Sequence, residues 1–117
     1  MSSALGRGEI WEVDWSPGRG AEQTGRRPAL IIQNDFGNRS ATYPNTIVAT
    51  VSAKGRNIPF HVLLQPSPES GLRTESFAKC EQLLTISKER LLRCWGRVSD
   101  DEMCAVEQAI KHSLSLP

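Results

Sequence analysis

The sequence has few of the features that mark membrane, secreted or zinc-binding proteins. None of its apolar runs approaches the roughly 20 residues that span a bilayer, and residues 1–8 contain no apolar signal segment. Its only cysteines are Cys80, Cys94 and Cys104, an odd number without a C-x-x-C pair. We therefore expect neither a disulfide framework nor a zinc site. We predict buried, reduced thiols in a cytoplasmic protein that does not contact a membrane.

Several common catalytic motifs are also absent. There is no G-x-x-x-x-G-K-[ST] phosphate loop, no G-x-S-x-G nucleophile elbow and no His, Cys and Asp cluster with metal-ligand spacing. The two histidines are His61 and His112. A two-histidine acid–base site is conceivable, but nothing in the sequence brings the two together, and we expect His112 to be solvated on a helix. The sequence thus contains no motif for a metal or a nucleotide cofactor.

Charge is almost balanced overall but unevenly distributed along the chain. The 117 residues carry a formal net charge of +1. Residues 19–56 carry a net charge of +4, whereas residues 99–117 carry −3. A near-neutral protein can still present one basic face to an anionic partner. Solvated charges scattered over loops explain the same pattern equally well.

The hydrophobic pattern predicts one domain, residues 1–117, built mainly from β-strands. Trp11, Val13 and Trp15 alternate with acidic residues, as on a half-buried strand, with Ile10 as an exception. Residues 33–44 are polar and rich in turn signals, so we expect a loop there. A short helical turn is expected at residues 87–90. Strands are predicted over residues 9–15, 29–32, 46–53, 60–65, 74–84 and 91–98.

The last segment is predicted to be a helix. Ser99 and Glu102 form the pattern of a capping box. An apolar stripe at helical spacing follows, made of Met103, Val106, Ile110 and Leu114. Five or six short strands with one terminal helix indicate a small, partly open β-barrel. Such a barrel is too small to hold a ligand inside, so we expect function on its loops and outer surface.

Two residues stand out as candidates for chemistry. Arg27 lies where a glycine-rich loop meets a buried strand, and a guanidinium held there can bind phosphate bidentately and stabilise a phosphoryl transition state. A strand-end arginine that is solvated or paired with Glu22 is the commoner case. Ser52 places a hydroxyl at the end of another predicted strand, where a simple polar terminus is the default explanation.

A set of longer motifs makes the sequence recognisable. It has Arg7-Gly8-Glu9-Ile10-Trp11 near the start, and Gly-x-Glu-Gln-x-Gly-x-Arg-Pro over residues 20–28. Further motifs are Ile32-Gln33-Asn34-Asp35, Gly37-Asn38, Pro59-Phe60-His61-Val62 and Glu81-Gln82. With these motifs the sequence resembles the MazF/PemK family of toxin ribonucleases, from type II toxin–antitoxin systems, over residues 7–114.

The resemblance implies both a fold and an activity. The fold would be mainly β, a small SH3-like, PemK-type barrel, partly open, with a C-terminal α-helix, and the protein would be a homodimer. The activity would be that of an mRNA interferase, which cuts single-stranded RNA at a short motif without metal or cofactor. Attack by the ribose 2′-hydroxyl would leave a 2′,3′-cyclic phosphate and a 5′-hydroxyl. The expected partner is a cognate MazE-like antitoxin, acidic and partly disordered.

The resemblance also assigns the catalytic roles. Arg27 matches the family's catalytic arginine, which would stabilise the phosphorane and donate a proton to the leaving oxygen. Ser52 falls where the family usually has a catalytic threonine; serine keeps the hydroxyl but lacks the methyl group that restricts its rotation. Thr50, two residues earlier on the same strand face, is the alternative position for that hydroxyl.

RNA-binding roles are expected for six further polar residues. Glu22 and Gln23 belong to the loop that gates substrate entry in the family, and Glu81 and Gln82 match positions that contact bases. His61 lies at a position that faces the RNA groove in close relatives, and Lys54 belongs to the basic stretch that suits phosphates.

Two alternatives remain open on the sequence alone. A CcdB-like poison of DNA gyrase would share the fold but act by binding protein, and Arg27 beside a glycine-rich loop argues against it. A non-catalytic RNA- or protein-binding barrel would need aromatic stacking platforms, and the chain has only three Trp, three Phe and one Tyr.

Overall fold

The chain forms one curled antiparallel sheet with a helix packed against it. The computed structural model describes residues 5–16 and 25–117. Its six described strands pair in the order β4-β5-β3-β2-β1-β6. The elements are β1 Glu9–Asp14, β2 Arg26–Ile31, α1 Asp35–Arg39, β3 Asn45–Ser52, β4 His61–Leu64, β5 Ser76–Ser87, a 3-10 turn Lys88–Arg90, β6 Leu91–Arg97 and α2 Asp100–Leu114.

A loop, rather than strand pairing, spans the gap between the two edge strands of the sheet. Edge strands β4 and β6 are not paired with each other in the sheet. Instead, the segment between β4 and β5 lies against β6, where the Arg97 N–H donates to the Glu69 carbonyl at 2.7 Å. A Cβ on Gly96 would lie 2.1 Å from that carbonyl oxygen, so only glycine permits this approach. The predicted partly open barrel is confirmed.

Two apolar clusters cover the two faces of the sheet. On one face, Ile10, Leu30 and Val51 pack with Val106 of α2. On the other face, a second cluster contains Val13, Trp15, Ala29, Ile31 and Val48. Strands β1 to β3 are therefore buried on both sides. Ile10, the exception to the alternation in β1, is fully buried on the side that faces α2, so β1 is not the half-buried strand that the alternation predicts.

The terminal helix begins as the sequence predicts. The Ser99 hydroxyl accepts from the Glu102 N–H at 3.0 Å, and the Glu102 carboxylate accepts from the Ser99 N–H at 2.9 Å. Val106 is fully buried, but Leu114, expected in the apolar stripe, is 53% exposed because its side of the last turn of α2 faces solvent, while the neighbouring Ser113 contacts β5. His112 is exposed, as expected. In the described part of the chain, no helix is long and apolar enough to cross a membrane.

The segment expected to be a loop, residues 33–44, contains helix α1. The Asn34 side chain caps its N-terminus. Asn38 is buried, and its Oδ1 accepts from the Gln33 amide at 3.0 Å and from the Thr46 hydroxyl at 2.7 Å. A helix of five residues is too short to produce a hydrophobic period. It is held by this polar network, which the sequence pattern does not reveal.

The cysteines are free, but they are not uniformly buried. Cys80 is buried, and desolvation together with the nearby charge of Glu81 raises the pKa of its thiol to about 12. Cys94 and Cys104 are exposed, so the prediction of buried thiols was wrong for these two. Cys94 lies on strand β6 at the edge of the sheet, and Cys104 lies on the outer side of α2.

Candidate functional site

The sheet register brings Arg27 and Ser52 together. Strands β2 and β3 are antiparallel, with Ala29 opposite Thr50. Arg27 and Ser52 each lie two residues beyond this pair, on the strand face that carries Ala29 and Thr50. Both residues line a cleft of about 880 Å³ at the open mouth of the barrel. The two sequence-predicted catalytic residues therefore share one site.

The described wall of the cleft is positively charged. Its described wall contains four cationic side chains, Arg27, Lys54, Arg73 and Arg93, and no Asp or Glu. Just outside this wall, the Glu12 Oε1 lies 3.8 Å from the Arg93 Nε. Cations that converge on a concave surface raise the local concentration of anions. Among the described residues, no group of three His, Cys, Asp or Glu side chains is placed to hold a metal ion.

The two candidate hydroxyls lie in different surroundings. Ser52 is half-buried on the cleft wall, and its Oγ accepts from the Lys54 N–H at 3.1 Å. This bond leaves the hydroxyl proton of Ser52 for another acceptor. Thr50 is only 1% exposed, and its Oγ1 donates to the Gln82 Oε1 at 2.6 Å. Of the two, only Ser52 can meet a ligand in the cleft.

The face that carries Ser52 continues across the sheet through pairs of residues on neighbouring strands. Thr50 on β3 and His61 on β4 are both paired with Lys79 on the intervening strand β5. Phe77 is opposite Ser52 in the same register. The rim of the cleft and the outer face of β3, β5 and β4 thus form one continuous surface.

His61 is held by both of its ring nitrogens. Its Nδ1 accepts from the Arg56 N–H at 3.0 Å. Because a backbone N–H can only donate, the ring proton lies on Nε2, which faces the Glu81 Oε2 at 2.9 Å. The side chain of His61 is 7% exposed. His61 therefore ties the loop between β3 and β4 to strand β5.

Glu81 and Gln82 lie on a bulge of strand β5. Ala49 is paired with Leu83, but the next residue of β3, Thr50, is paired with Lys79. Residues 80–82 therefore have no partners on β3, and the bulge lets Glu81 and Gln82 both be exposed. The remaining predicted residues, Glu22 and Gln23, lie outside the described residues.

A family model described as "PemK-like, MazF-like toxin of type II toxin-antitoxin system" matches residues 6–114. The chain belongs to this family. The resemblance found in the sequence is thereby confirmed.

Curated relatives and solved structures agree with the family. The chain is 43% identical over 114 residues to endoribonuclease MazF9 of Mycobacterium tuberculosis, covering 94% of this chain and 96% of the relative. It is 38% identical over 112 residues to endoribonuclease EndoA of Bacillus subtilis, covering 94% of each. Its fold resembles a mycobacterial endoribonuclease in complex with its cognate antitoxin (TM-score 0.80, 25% identity, 97% of this chain and 98% of that chain). It also resembles MazF of Deinococcus radiodurans (TM-score 0.80, 19% identity, 98% and 100%).

The basic surface of this MazF/PemK-family chain was only partly predicted. Of the basic stretch, Arg27 and Lys54 line the cleft, whereas Arg39 lies on α1, away from the described cleft wall. The other two cations of the cleft, Arg73 and Arg93, come from outside the stretch and were missed. The curling of the sheet brings Arg73, on the loop before β5, and Arg93, on β6, to the same cleft. No local signal in the sequence could therefore have identified these two arginines.

Proposed function

We propose that this chain is a metal-independent endoribonuclease toxin that cuts single-stranded RNA, usually mRNA, at a short sequence motif. The observation that carries the proposal is the cleft where Arg27 and Ser52 meet among four cations, without a carboxylate on its described wall. Such a site suits a polyanion that arrives as a single strand. Unpaired bases are also the ones a protein can read, because an A-form duplex hides their edges. The 43% identity to an endoribonuclease supports the same activity.

The reaction is a transfer within the RNA strand. The ribose 2′-oxygen attacks the adjacent phosphorus and loses its proton, the bond from phosphorus to the 5′-oxygen breaks, and that oxygen gains a proton. The products are a 2′,3′-cyclic phosphate and a 5′-hydroxyl, and no water is consumed. Because the nucleophile belongs to the substrate, the protein needs to supply orientation and charge stabilisation.

Arg27 and Ser52 supply that stabilisation in our proposal. The guanidinium of Arg27 remains charged and donates two parallel hydrogen bonds to the phosphorane oxygens as their negative charge grows. One of its N–H groups also donates to the leaving 5′-oxygen. The Ser52 hydroxyl accepts a hydrogen bond from the backbone N–H of Lys54, and its own O–H donates a hydrogen bond to an oxygen of the same phosphorane.

The remaining contacts divide into backbone and base contacts. We assign Lys54, Arg73 and Arg93 to phosphates, because they line the cleft beside Arg27. The outer-face residues His61, Glu81 and Gln82 are assigned to the bases. Glu22 and Gln23, on the loop before β2, are assigned to gating substrate entry by analogy with the family.

Two protein partners complete the proposal. The first is a second copy of the chain, forming a two-fold homodimer of single-domain subunits. The second is a MazE-like antitoxin, whose acidic, partly disordered segment would cover the cations of the cleft; a solved relative is an endoribonuclease in complex with its cognate antitoxin. We place this activity in the cytoplasm, where mRNA is found. Light scattering tests the dimer, and co-purification with the product of the adjacent gene tests the antitoxin.

The activity is tested directly with a long single-stranded RNA in excess chelator. The proposal predicts cuts at one short motif. Each 5′ end should accept phosphate from a polynucleotide kinase without prior dephosphorylation, and each 3′ end should resist ligation until the cyclic phosphate is opened. RNA left intact by a folded protein would contradict the proposal, and gyrase inhibition would be the next assay.

A further inference from the structure

Glu81 and Gln82 are exposed, yet each is held by a shielded side chain. Thr50, 1% exposed, donates from Oγ1 to the Gln82 Oε1 at 2.6 Å. His61, with a side chain 7% exposed, donates from Nε2 to the Glu81 Oε2 at 2.9 Å. Exposed polar side chains usually sample several rotamers and gain little from pairing in water. Here each side chain accepts from a donor that the fold holds in place, and this favours one arrangement for each of them.

This arrangement fixes which atoms remain for a ligand. With its Oε1 occupied by Thr50, Gln82 presents its amide N–H groups as donors. With its Oε2 occupied by His61, Glu81 presents Oε1 as an acceptor. A carboxylate repels phosphate and accepts only from N–H or O–H groups. Adjacent in the chain and both exposed, the two residues offer one donor and one acceptor, the complement of a nucleobase edge with an N–H next to a carbonyl or a ring nitrogen.

The bulge that carries the pair is anchored on both sides. The N–H of Cys80 donates to the Phe60 carbonyl at 2.8 Å. The Cys80 carbonyl accepts from the Ser113 hydroxyl of α2, also at 2.8 Å. The Cys80 side chain is fully buried in the core. The backbone next to Glu81 and Gln82 is thus anchored by two hydrogen bonds and by the buried Cys80 side chain. Precise recognition requires such support from rigid elements.

We infer that Thr50 is a positioning residue for base recognition. It orients Gln82 so that the amide donates to the edge of one nucleobase, while Glu81, oriented by His61, accepts from the same edge. The inference rests on the proposed ribonuclease activity and deepens it. Thr50 takes no part in the chemistry, so its loss changes which motif is cut rather than whether RNA is cut.

The test is to map the cleavage motif of Thr50→Val on a randomised single-stranded RNA pool. Valine keeps the shape of threonine but removes the hydroxyl. At one position of the motif, the ratio of cleavage with the favoured base to cleavage with the other bases should be about tenfold lower in Thr50→Val than in the wild type. This is the discrimination that one bidentate contact to a base provides. On the original motif KM should rise, with kcat nearly unchanged. Thr50→Ser should restore the preference, and Gln82→Glu, an exposed change that does not threaten folding, should lose it at the same position.

The matched control is Thr46→Val. Thr46 lies on the same face of β3, is equally buried and also donates to a side-chain oxygen, that of Asn38 at 2.7 Å, but it does not contact the bulge. Its cleavage motif should be unchanged. If the wild type cuts RNA but Thr50→Val and Gln82→Glu keep the wild-type motif, the role of Thr50 in base recognition is overturned and the proposed ribonuclease activity is not. Equal relaxation at every motif position would also overturn it. A wild type that leaves RNA intact would instead overturn the proposed function, and the inference with it.

Discussion

Arg27 and Ser52 line the same cleft at the open mouth of the barrel, and each lies two residues beyond the paired residues Ala29 and Thr50. One supplies a fixed positive charge and the other a hydroxyl, and the sheet determines their relative position. Because Ala29 and Thr50 are buried, the strand ends are firmly supported. A preorganised pair of this kind is suited to a phosphorane, whose charge appears only in the transition state.

Arg73 and Arg93 are predicted to bind RNA phosphates. Each substitution to Ala should weaken binding of a single strand and lower the slope of log K against log salt by about 0.7, the value for one lost phosphate contact. Fluorescence anisotropy at several salt concentrations measures this, with a 2′-deoxy strand that cannot be cut. Lys111→Ala is the control, because Lys111 is exposed on α2 away from the cleft wall. An unchanged slope for both arginine variants would remove them from the interface.

Local signals in the sequence were enough to predict much of the fold. The β-branched run of β3, the alternation in β1 and the capping box at Ser99 each depend on neighbours within a few residues, and each element is present. Arg27 and Ser52 could be named because family motifs identify them. Their roles and those of the RNA-binding residues remain predictions.

Features that depend on distant contacts could not be predicted. Helix α1 is held by a buried network around Asn38. The bulge at residues 80–82 cannot be seen in the alternation of apolar and polar residues along the sequence. It is this bulge that brings Gln82 within hydrogen-bond distance of Thr50. Cys94 and Cys104 were expected to be buried because cysteine usually is, but the side of a strand or helix that meets solvent is decided by the complete packing.

Gly96→Ala should destabilise the protein strongly. The added Cβ would lie 2.1 Å from the Glu69 carbonyl oxygen, where the loop closes the barrel, so backbone has to move. We expect the free energy of unfolding to fall by about 3 kcal/mol, the upper end of overpacking costs, measured by urea denaturation. In Gly6→Ala, the new Cβ would meet its nearest atoms at 3.4 Å, and we expect a change within about 0.5 kcal/mol. Equal stability of the two variants would contradict closure through Gly96.

The cysteines should differ in reactivity. Burial raises the pKa of the Cys80 thiol to about 12, so at pH 8 it is protonated as well as shielded. Iodoacetamide should therefore modify exposed Cys104 and Cys94 in the folded protein, the latter more slowly because partial burial raises its pKa also. Peptide mapping by mass spectrometry should detect Cys80 only after denaturant is added. Rapid alkylation of Cys80 in the folded state would show that the bulge opens readily.

The central claim is that the Arg27 charge drives RNA cleavage at the barrel mouth. The direct measurement compares cleavage of one single-stranded RNA, in excess chelator, by the wild type, Arg27→Ala, Arg27→Lys and Arg39→Ala. We predict that kcat falls about 10²- to 10³-fold in Arg27→Ala and less in Arg27→Lys, which keeps the charge but loses the planar fork. Arg39, an exposed arginine on α1, should be dispensable. Equal cleavage by the wild type and Arg27→Ala would contradict the account.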